Sequence, residues 1–167
     1  MKRWNLIRWI KIRSLRMKAV VADMDIMGQT LREGLPALGL ELSEDCQKTL
    51  CAFGEAVVKQ NEVMNLTAIT DPTDVAQLHL LDCAAVLTFA DIKGKSLVDV
   101  GTGAGFPGMP LRIVEPSLRL TLLDSLNKRI DFLKEVCADL GLNDVECIHG
   151  RAEEFAANHR EDYDIVT

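Results

Sequence analysis

The chain has 167 residues, of which 48% are hydrophobic and 26% charged, and its formal net charge is −6. This length fits one domain with a real core, and the composition is ordinary for a globular protein. No apolar run approaches the ~20 residues that a membrane span needs. The five cysteines form no CxxC pair, so we expect no metal site and reduced thiols in a cytoplasmic protein.

The first 22 residues differ from the rest in charge. They contain seven basic residues and no acid, which leaves 12 basic against 25 acidic side chains for residues 23–167. The leader shows no amphipathic helical face and is not a secretory signal. It is a basic RNA-binding arm, a targeting segment, or the result of a misassigned start, with Met17, Met24 or Met27 as the true first residue. The acidic remainder is a poor non-specific binder of nucleic acid.

Helices are predicted between residues 23 and 93, which we interpret as a helical N-terminal cap. The first covers Gln29–Leu38. The second begins after Ser43, a plausible N-cap, and its spacing predicts one buried face formed by Cys46, Leu50, Phe53 and Val57. The third opens in the segment 71–74 with Asp74 as its cap. Its inward residues are expected to be Val75, Leu78, Leu81 and Ala85.

From Gly94 strands and helices alternate. The predicted strands are Ser96–Val100, Arg119–Asp124, Val145–His149 and Tyr163–Thr167. One helix is predicted to start near Met109. Two others are predicted over Asn127–Leu140 and Ala152–Ala157. This alternation indicates a parallel, doubly wound α/β sheet. Because an interior strand of such a sheet needs neighbours on both sides, we interpret residues 94–167 as the first half of a domain that the chain does not complete.

A glycine-rich segment follows the first of these strands. Gly101, Gly103 and Gly105 alternate there, which allows a sharp turn and a close approach of backbone to a ligand. Read from Gly103, the segment also satisfies GxGxxG, the fingerprint of dinucleotide-binding loops, although this match alone is weak.

Two features favour S-adenosylmethionine over a dinucleotide. A dinucleotide loop leads straight into a helix whose N-terminus faces the pyrophosphate, but Pro110 favours a helix that starts only near Met109. Asp99, just before the loop, suits a ligand that carries an ammonium group and is unhelpful beside a pyrophosphate. S-adenosylmethionine is a cation without phosphate, so the loop is predicted to bind this methyl donor.

Other residues are predicted to hold the same cofactor. Asp124 ends the second strand, where its carboxylate can accept both ribose hydroxyls; the alternative is a cap on the following helix. After the third strand, the main chain of Ala152 and Glu153 lies where the adenine edge would fall, unless this is an ordinary strand-to-helix turn.

Several segments together resemble one known family. They are Asn65-Leu66-Thr67-Ala68-Ile69, His79-Leu80-Leu81-Asp82, the run from Asp99 to Leu111, Leu122-Leu123-Asp124-Ser125 and Arg151-Ala152-Glu153-Glu154-Phe155. They occur in the order of the small-subunit ribosomal RNA methyltransferases RsmG, also called GidB, and the likeness extends from about Gln29 to Thr167.

This resemblance implies a Rossmann-like class I methyltransferase fold and methyl transfer from S-adenosylmethionine to N7 of a guanine in 16S ribosomal RNA. The cofactor contacts that the resemblance implies are Gly101, Phe106, Ala152 and Glu153. The chemistry of the loop and of the strand ends adds Asp99, Gly103 and Asp124 to the predicted contacts. The chain lacks the Ser-Arg-Ala segment with which the family continues, so we expect impaired activity. The competing hypotheses are a nicotinamide-dependent oxidoreductase and an inactive fragment that at most binds cofactor or RNA.

No catalytic base is predicted, since guanine N7 has a free lone pair and no proton to lose. The small ribosomal subunit or its 16S RNA is the expected partner, and the chain is expected to be monomeric if complete. Candidate phosphate contacts are the leader, Arg112, Lys128, Arg129 and Lys134. His79 and Asp82 lie three residues apart on the third helix, where they could hold the cap on the sheet or face RNA.

Overall fold

The computed structural model describes residues 25–167, so the predictions for the basic leader lie outside the described residues. Its centre is a sheet whose neighbouring strands all run parallel. The strands are β1 (Ser96–Val100), β2 (Arg119–Asp124), β3 (Glu146–His149) and β4 (Ile165–Val166). Their order across the sheet is β3-β2-β1-β4, which confirms the predicted doubly wound α/β sheet.

The strand order determines where a ligand can bind. The chain moves outward from β1 to β2 and β3, and then returns to place β4 on the other side of β1. The direction of winding therefore reverses between β1 and β4. In open parallel sheets, ligands bind in the crevice beyond the carboxyl ends of the strands at such a switch point. The glycine-rich segment starts at this end of β1.

Helices precede and separate the strands. They are α1 (25–37), α2 (Glu44–Met64), α3 (Pro72–Val75), α4 (Asp82–Ala85), α5 (Gly108–Val114), α6 (Asn127–Asp139) and α7 (Ala152–Asn158). A π-helical turn (Ala76–Leu81) joins α3 to α4. Within residues 25–167, none of the helices combines the length and apolarity that a membrane crossing would require.

The helices before β1 share one hydrophobic core with the sheet. Phe53 and Val57 of α2 are fully buried, and α2 packs against α5 and α6. The Ser43 hydroxyl accepts the N–H of Cys46 at 3.2 Å, which confirms the predicted cap of α2. Residue 94 thus separates two kinds of secondary structure that share one core, and the division into a cap (23–93) and a sheet unit (94–167) stays a prediction.

The helix from Pro72 onward differs from its prediction in two respects. Asp71, and not Asp74, caps it, because the Asp71 carboxylate accepts the N–H groups of Thr73 and Asp74 at 2.9 and 3.2 Å. Leu78 was expected to face inward but is 56% exposed. The physical reason is the π-helical turn, whose longer hydrogen-bonded loop changes the angle between successive side chains. Leu80 is buried in its place.

Candidate cofactor-binding site

The glycine-rich loop begins where β1 ends and is fastened to the neighbouring strand. The N–H groups of Gly101 and Thr102 donate to the carbonyl oxygen of Leu123 at 2.8 and 3.1 Å. Gly101, Gly103 and Gly105 have φ angles of 73°, 60° and 99°. These angles lie in the left-handed region that side chains rarely adopt, so this path of the loop depends on glycine.

The three glycines serve two different purposes. A Cβ at Gly101 would meet no atom within 4 Å, and one at Gly103 would meet only a backbone oxygen at 3.8 Å. By contrast, a Cβ at Gly105 would lie 2.9 Å from side-chain atoms of both Leu133 and Met109. The first two glycines therefore present bare backbone to open space, and Gly105 allows the loop to pack closely on the core.

Asp124 points its carboxylate at this loop. The side chain is 3% exposed, and its Oδ2 accepts the N–H of Gly103 at 3.0 Å. Its Oδ1 accepts the N–H of Leu126 at 2.8 Å, while the Arg129 guanidinium lies 3.3 Å from Oδ2. The predicted ribose-binding carboxylate thus lies against the backbone of Gly103, and its contact with ribose stays a prediction. The alternative role of Asp124, as a cap of α6, is supported only by the hydrogen bond from Leu126, the residue before that helix.

Asp99 lies beneath the loop and is engaged within the protein. Its carboxylate is 2% exposed and accepts hydrogen bonds from the Thr102 hydroxyl at 2.8 Å and from the N–H of Gly108 at 3.1 Å. The Thr167 hydroxyl donates to its other oxygen at 3.3 Å. Burial raises the pKa of Asp99, although these hydrogen bonds oppose the rise. Asp99 therefore ties the two ends of the loop together, and its predicted contact with a ligand ammonium group stays a prediction.

The start of α5 bears on the choice between the two cofactor hypotheses. This helix begins at Gly108, three residues after Gly105, which is the second glycine of the GxGxxG match. Pro110 occupies the first turn, where a missing N–H is tolerated. A helix that starts near Met109 was the expectation, and the loop lacks the immediate helix N-terminus that a dinucleotide pyrophosphate would use.

The side chain of Phe106 connects the loop to the N-terminal helices. Its ring stacks on the ring of His79, with centroids 4.5 Å apart and planes 15° from parallel. The ring of Phe53 meets Phe106 edge-on at 5.3 Å. The sequence predicts that Phe53 lies in the core and leaves two roles open for His79. It does not place the two residues at the loop, because they come from helices that are distant in sequence.

The turn after β3 brings the predicted adenine contacts to the same edge of the sheet. The N–H of Gly150 donates to the carbonyl oxygen of Asp124 at 3.1 Å. Ala152 and Glu153 form the first turn of α7 and are exposed. Both residues follow β3 at the edge of the sheet where β2 ends, and their contact with adenine stays a prediction.

One of the proposed phosphate contacts is wrong. Arg112 is 8% exposed and binds both carboxylate oxygens of Asp144 at 2.9 Å. It was expected on an outer face, but all of α5 is buried between the sheet and α2. Lys128 and Lys134 are exposed on α6 and Arg129 is partly exposed, so these three stay candidates.

The parallel sheet, its glycine-rich turn and the carboxylate that ends β2 define a Rossmann-like methyltransferase fold. A family model described as rRNA small subunit methyltransferase G matches residues 46–167, and the chain belongs to this family, GidB.

Curated relatives that match the chain carry the name Ribosomal RNA small subunit methyltransferase G. The protein of Alkaliphilus metalliredigens is 47% identical over 137 residues, which are 80% of this chain and 57% of the relative. The Clostridium kluyveri protein is 46% identical over 132 residues, or 77% and 56% of the two chains. A Staphylococcus epidermidis protein is 47% identical over 139 residues, or 82% and 58%. The chain thus spans less than two thirds of the length of these relatives.

Proposed function

We propose that this chain binds S-adenosylmethionine and forms the cofactor-binding part of an enzyme that methylates N7 of a guanine in 16S ribosomal RNA. The observation that carries the proposal is the position of Asp124, whose buried carboxylate lies 3.0 Å from the N–H of Gly103 beside open backbone. The names of the relatives support an RNA substrate in the small ribosomal subunit.

The residues around the loop suit this cofactor. Bare backbone at Gly101 and Gly103 leaves room for a ligand to approach closely. A carboxylate has about four lone-pair sites, and Asp124 already accepts from Gly103, Leu126 and Arg129. About one site is therefore left to accept a ribose hydroxyl. Phe106, Ala152 and Glu153 complete the set of contacts that the family resemblance implies.

The chemistry demands positioning more than proton transfer. When bound, S-adenosylmethionine supplies a methyl group on a positively charged sulfur. Guanine N7 attacks with a free lone pair and loses no proton, so we assign no catalytic base. The protein then contributes by aligning the two reactants and by replacing water with an oriented, polar wall. The glycine loop and Asp124 hold the cofactor, and Asp99 holds the loop.

RNA would meet a chain whose residues 23–167 are acidic overall. Binding then depends on a few placed cations, for which Lys128, Lys134 and Arg129 on α6 are candidates. Guanine N7 faces the deep major groove of A-form RNA, which side chains reach poorly. The target guanine is therefore expected in irregular or opened RNA.

The cofactor is tested by isothermal titration calorimetry of the 167-residue chain with S-adenosylhomocysteine and, separately, with NAD. Binding of S-adenosylhomocysteine and no heat from NAD is the expected result. Binding of NAD alone would reverse the assignment in favour of an oxidoreductase.

The substrate is tested by incubating the chain with tritiated S-adenosylmethionine and small ribosomal subunits from a strain that lacks this methyl group. Label in N7-methylguanine supports the proposed reaction. Label on another base contradicts the proposed reaction. No label from a chain that binds the cofactor agrees with the impaired activity expected of this chain and leaves the cofactor assignment standing.

A further inference from the structure

The stacked pair of His79 and Phe106 joins the helices before β1 to the cofactor loop. Phe106 lies between the glycines of the loop and α5, and two aromatic rings limit its position. His79 covers one face at 4.5 Å, nearly parallel, and Phe53 approaches by its edge at 5.3 Å. Phe53 is fully buried, so it forms a rigid side of this arrangement. His79 is only partly buried and needs another contact to hold it.

Thr67 provides that contact. Its hydroxyl oxygen lies 2.9 Å from Nε2 of His79 and also accepts the N–H of Ile69 at 3.0 Å. The N–H of Thr67 donates to Oδ1 of Asn61 on α2 at 2.8 Å. With Ile69 occupying one lone pair, the hydroxyl can give its proton to Nε2 of a neutral imidazole. Burial lowers the pKa of His79, against the opposing charge of Asp82, and so favours this neutral form.

The backbone around His79 is itself unusual. His79 belongs to the π-helical turn Ala76–Leu81, which interrupts the otherwise α-helical segment. Single π-helical turns are often found at functional sites because they redirect a side chain that a regular helix would aim elsewhere. Here the turn leaves Leu78 exposed and directs His79 to Phe106. This turn and the bond from Thr67 together determine where the imidazole lies.

We propose that His79 is a positioning residue of the cofactor site, and that it acts by holding the Phe106 ring in the orientation that contacts the bound methyl donor. This role rests on the proposed function. The chain of contacts runs from Asn61 through Thr67 and His79 to Phe106. It adds a second contact between the helical segment before β1 and the loop, beside the edge-on contact of Phe53 with Phe106.

The test compares two histidines that make similar stacks. His159 stacks on Phe155 at 4.1 Å and 17°, at the far end of α7 from the predicted cofactor contacts. His79→Leu and His159→Leu therefore each remove one stacked pair, but only the first lies at the loop. Affinity for S-adenosylhomocysteine is measured by calorimetry on the 167-residue chain, and the unfolding midpoint of each variant is measured alongside.

The expected result is a roughly 3- to 10-fold loss of affinity in His79→Leu, which is the range that one aromatic pair contributes. His159→Leu should bind as the unaltered chain does. His79→Phe keeps a ring face for Phe106 but loses the hydrogen bond to Thr67, so it should recover part of the lost affinity. A residue that only stabilised the fold would change the unfolding midpoint and leave the affinity of the folded chain unaltered.

A second pair of variants applies if His79→Leu does not fold. Thr67→Val keeps the shape of the side chain but removes the hydroxyl, whereas Thr67→Ser retains it. Affinity should fall in the first and persist in the second. Equal affinity in His79→Leu and the unaltered chain, or in both Thr67 variants, overturns the role of His79 and leaves the proposed function intact. If the unaltered chain does not bind S-adenosylhomocysteine, both proposals fail.

Discussion

Substitution of single loop glycines by alanine should separate the packing of the loop from its function. At Gly105 an added Cβ would lie 2.9 Å from Leu133 and Met109 and 3.2 Å from Phe53, on a backbone with φ of 99°. A side chain in left-handed backbone costs roughly 1–2 kcal/mol, and overpacking a core costs about 1–3 kcal/mol more. Gly105→Ala should therefore lower the free energy of unfolding by about 2–5 kcal/mol.

Gly101→Ala should have the opposite profile. Its φ of 73° carries the same backbone cost, but the new Cβ meets nothing within 4 Å. We expect a loss of stability of only about 1–2 kcal/mol and a large loss of affinity for S-adenosylhomocysteine, because the methyl group enters the space that the ligand would use. Gly39 is the matched control, since its φ is 74° and its surroundings are equally open. Gly39→Ala should match the stability of Gly101→Ala and bind normally.

Urea unfolding measures the stability of the three variants, and calorimetry measures their affinity for S-adenosylhomocysteine. If Gly101→Ala binds as well as Gly39→Ala, the open face of the loop is not the ligand surface. If Gly105→Ala is no less stable than Gly101→Ala, the close packing at Gly105 carries no energy. Either result would refute the division of roles among the loop glycines.

Three further predictions concern buried or paired carboxylates. Asp124→Asn should weaken S-adenosylhomocysteine binding about tenfold or more, because a charge-assisted hydrogen bond is lost. The control is Asp131→Asn, at an exposed position on α6. Equal affinities of the two variants would argue against the ribose role of Asp124. Burial raises the pKa of Asp99 above 3.8, so the folded protein binds the carboxyl proton more tightly than the unfolded chain does. The stability that Asp99 contributes therefore falls as pH rises from 3.8 through the folded pKa. Asp99→Asn should remove this decline, which urea unfolding across that pH range measures; an unchanged slope contradicts it. The hydrogen bond from Arg112 lowers the pKa of Asp144 below 3.8, so its contribution is present above 3.8 and is lost as pH falls through the folded pKa. Asp144→Asn should lower the free energy of unfolding by about 1–2 kcal/mol at neutral pH. This is less than the loss of a fully buried pair would cost, because Asp144 is 67% exposed. An unaltered free energy of unfolding would show that the pair does not stabilise the fold.

Much of the fold could be predicted because its signals are local. The bounds of β1 and β2 agree with their prediction, since each strand is a short apolar run between turn residues. The cap at Ser43 also agrees, because capping depends on one side chain and a backbone N–H three residues on. The position of Asp124 beside the glycine loop followed from topology, since neighbouring parallel strands end at the same edge of the sheet.

Other expectations were wrong where distant contacts outweigh local pattern. Leu78 fitted a regular helical face, but the π-helical turn rotates it into solvent. The sequence predicts a surface cation at Arg112, yet this side chain lies buried against Asp144, a partner 32 residues away. The periodicity of the sequence predicts neither the exposure of Leu78 nor the burial of Arg112, because both depend on how each helix packs against its neighbours.

The amino-acid sequence by itself determined the parallel α/β sheet, the glycine turn after β1 and the carboxylate after β2. Those features need only backbone freedom, short apolar runs and chain order. Tertiary structure alone decided that Asp99 holds the loop from below and that His79 and Phe53 enclose Phe106. These contacts join segments that are far apart in the chain, and a side chain finds such partners only once the core has packed.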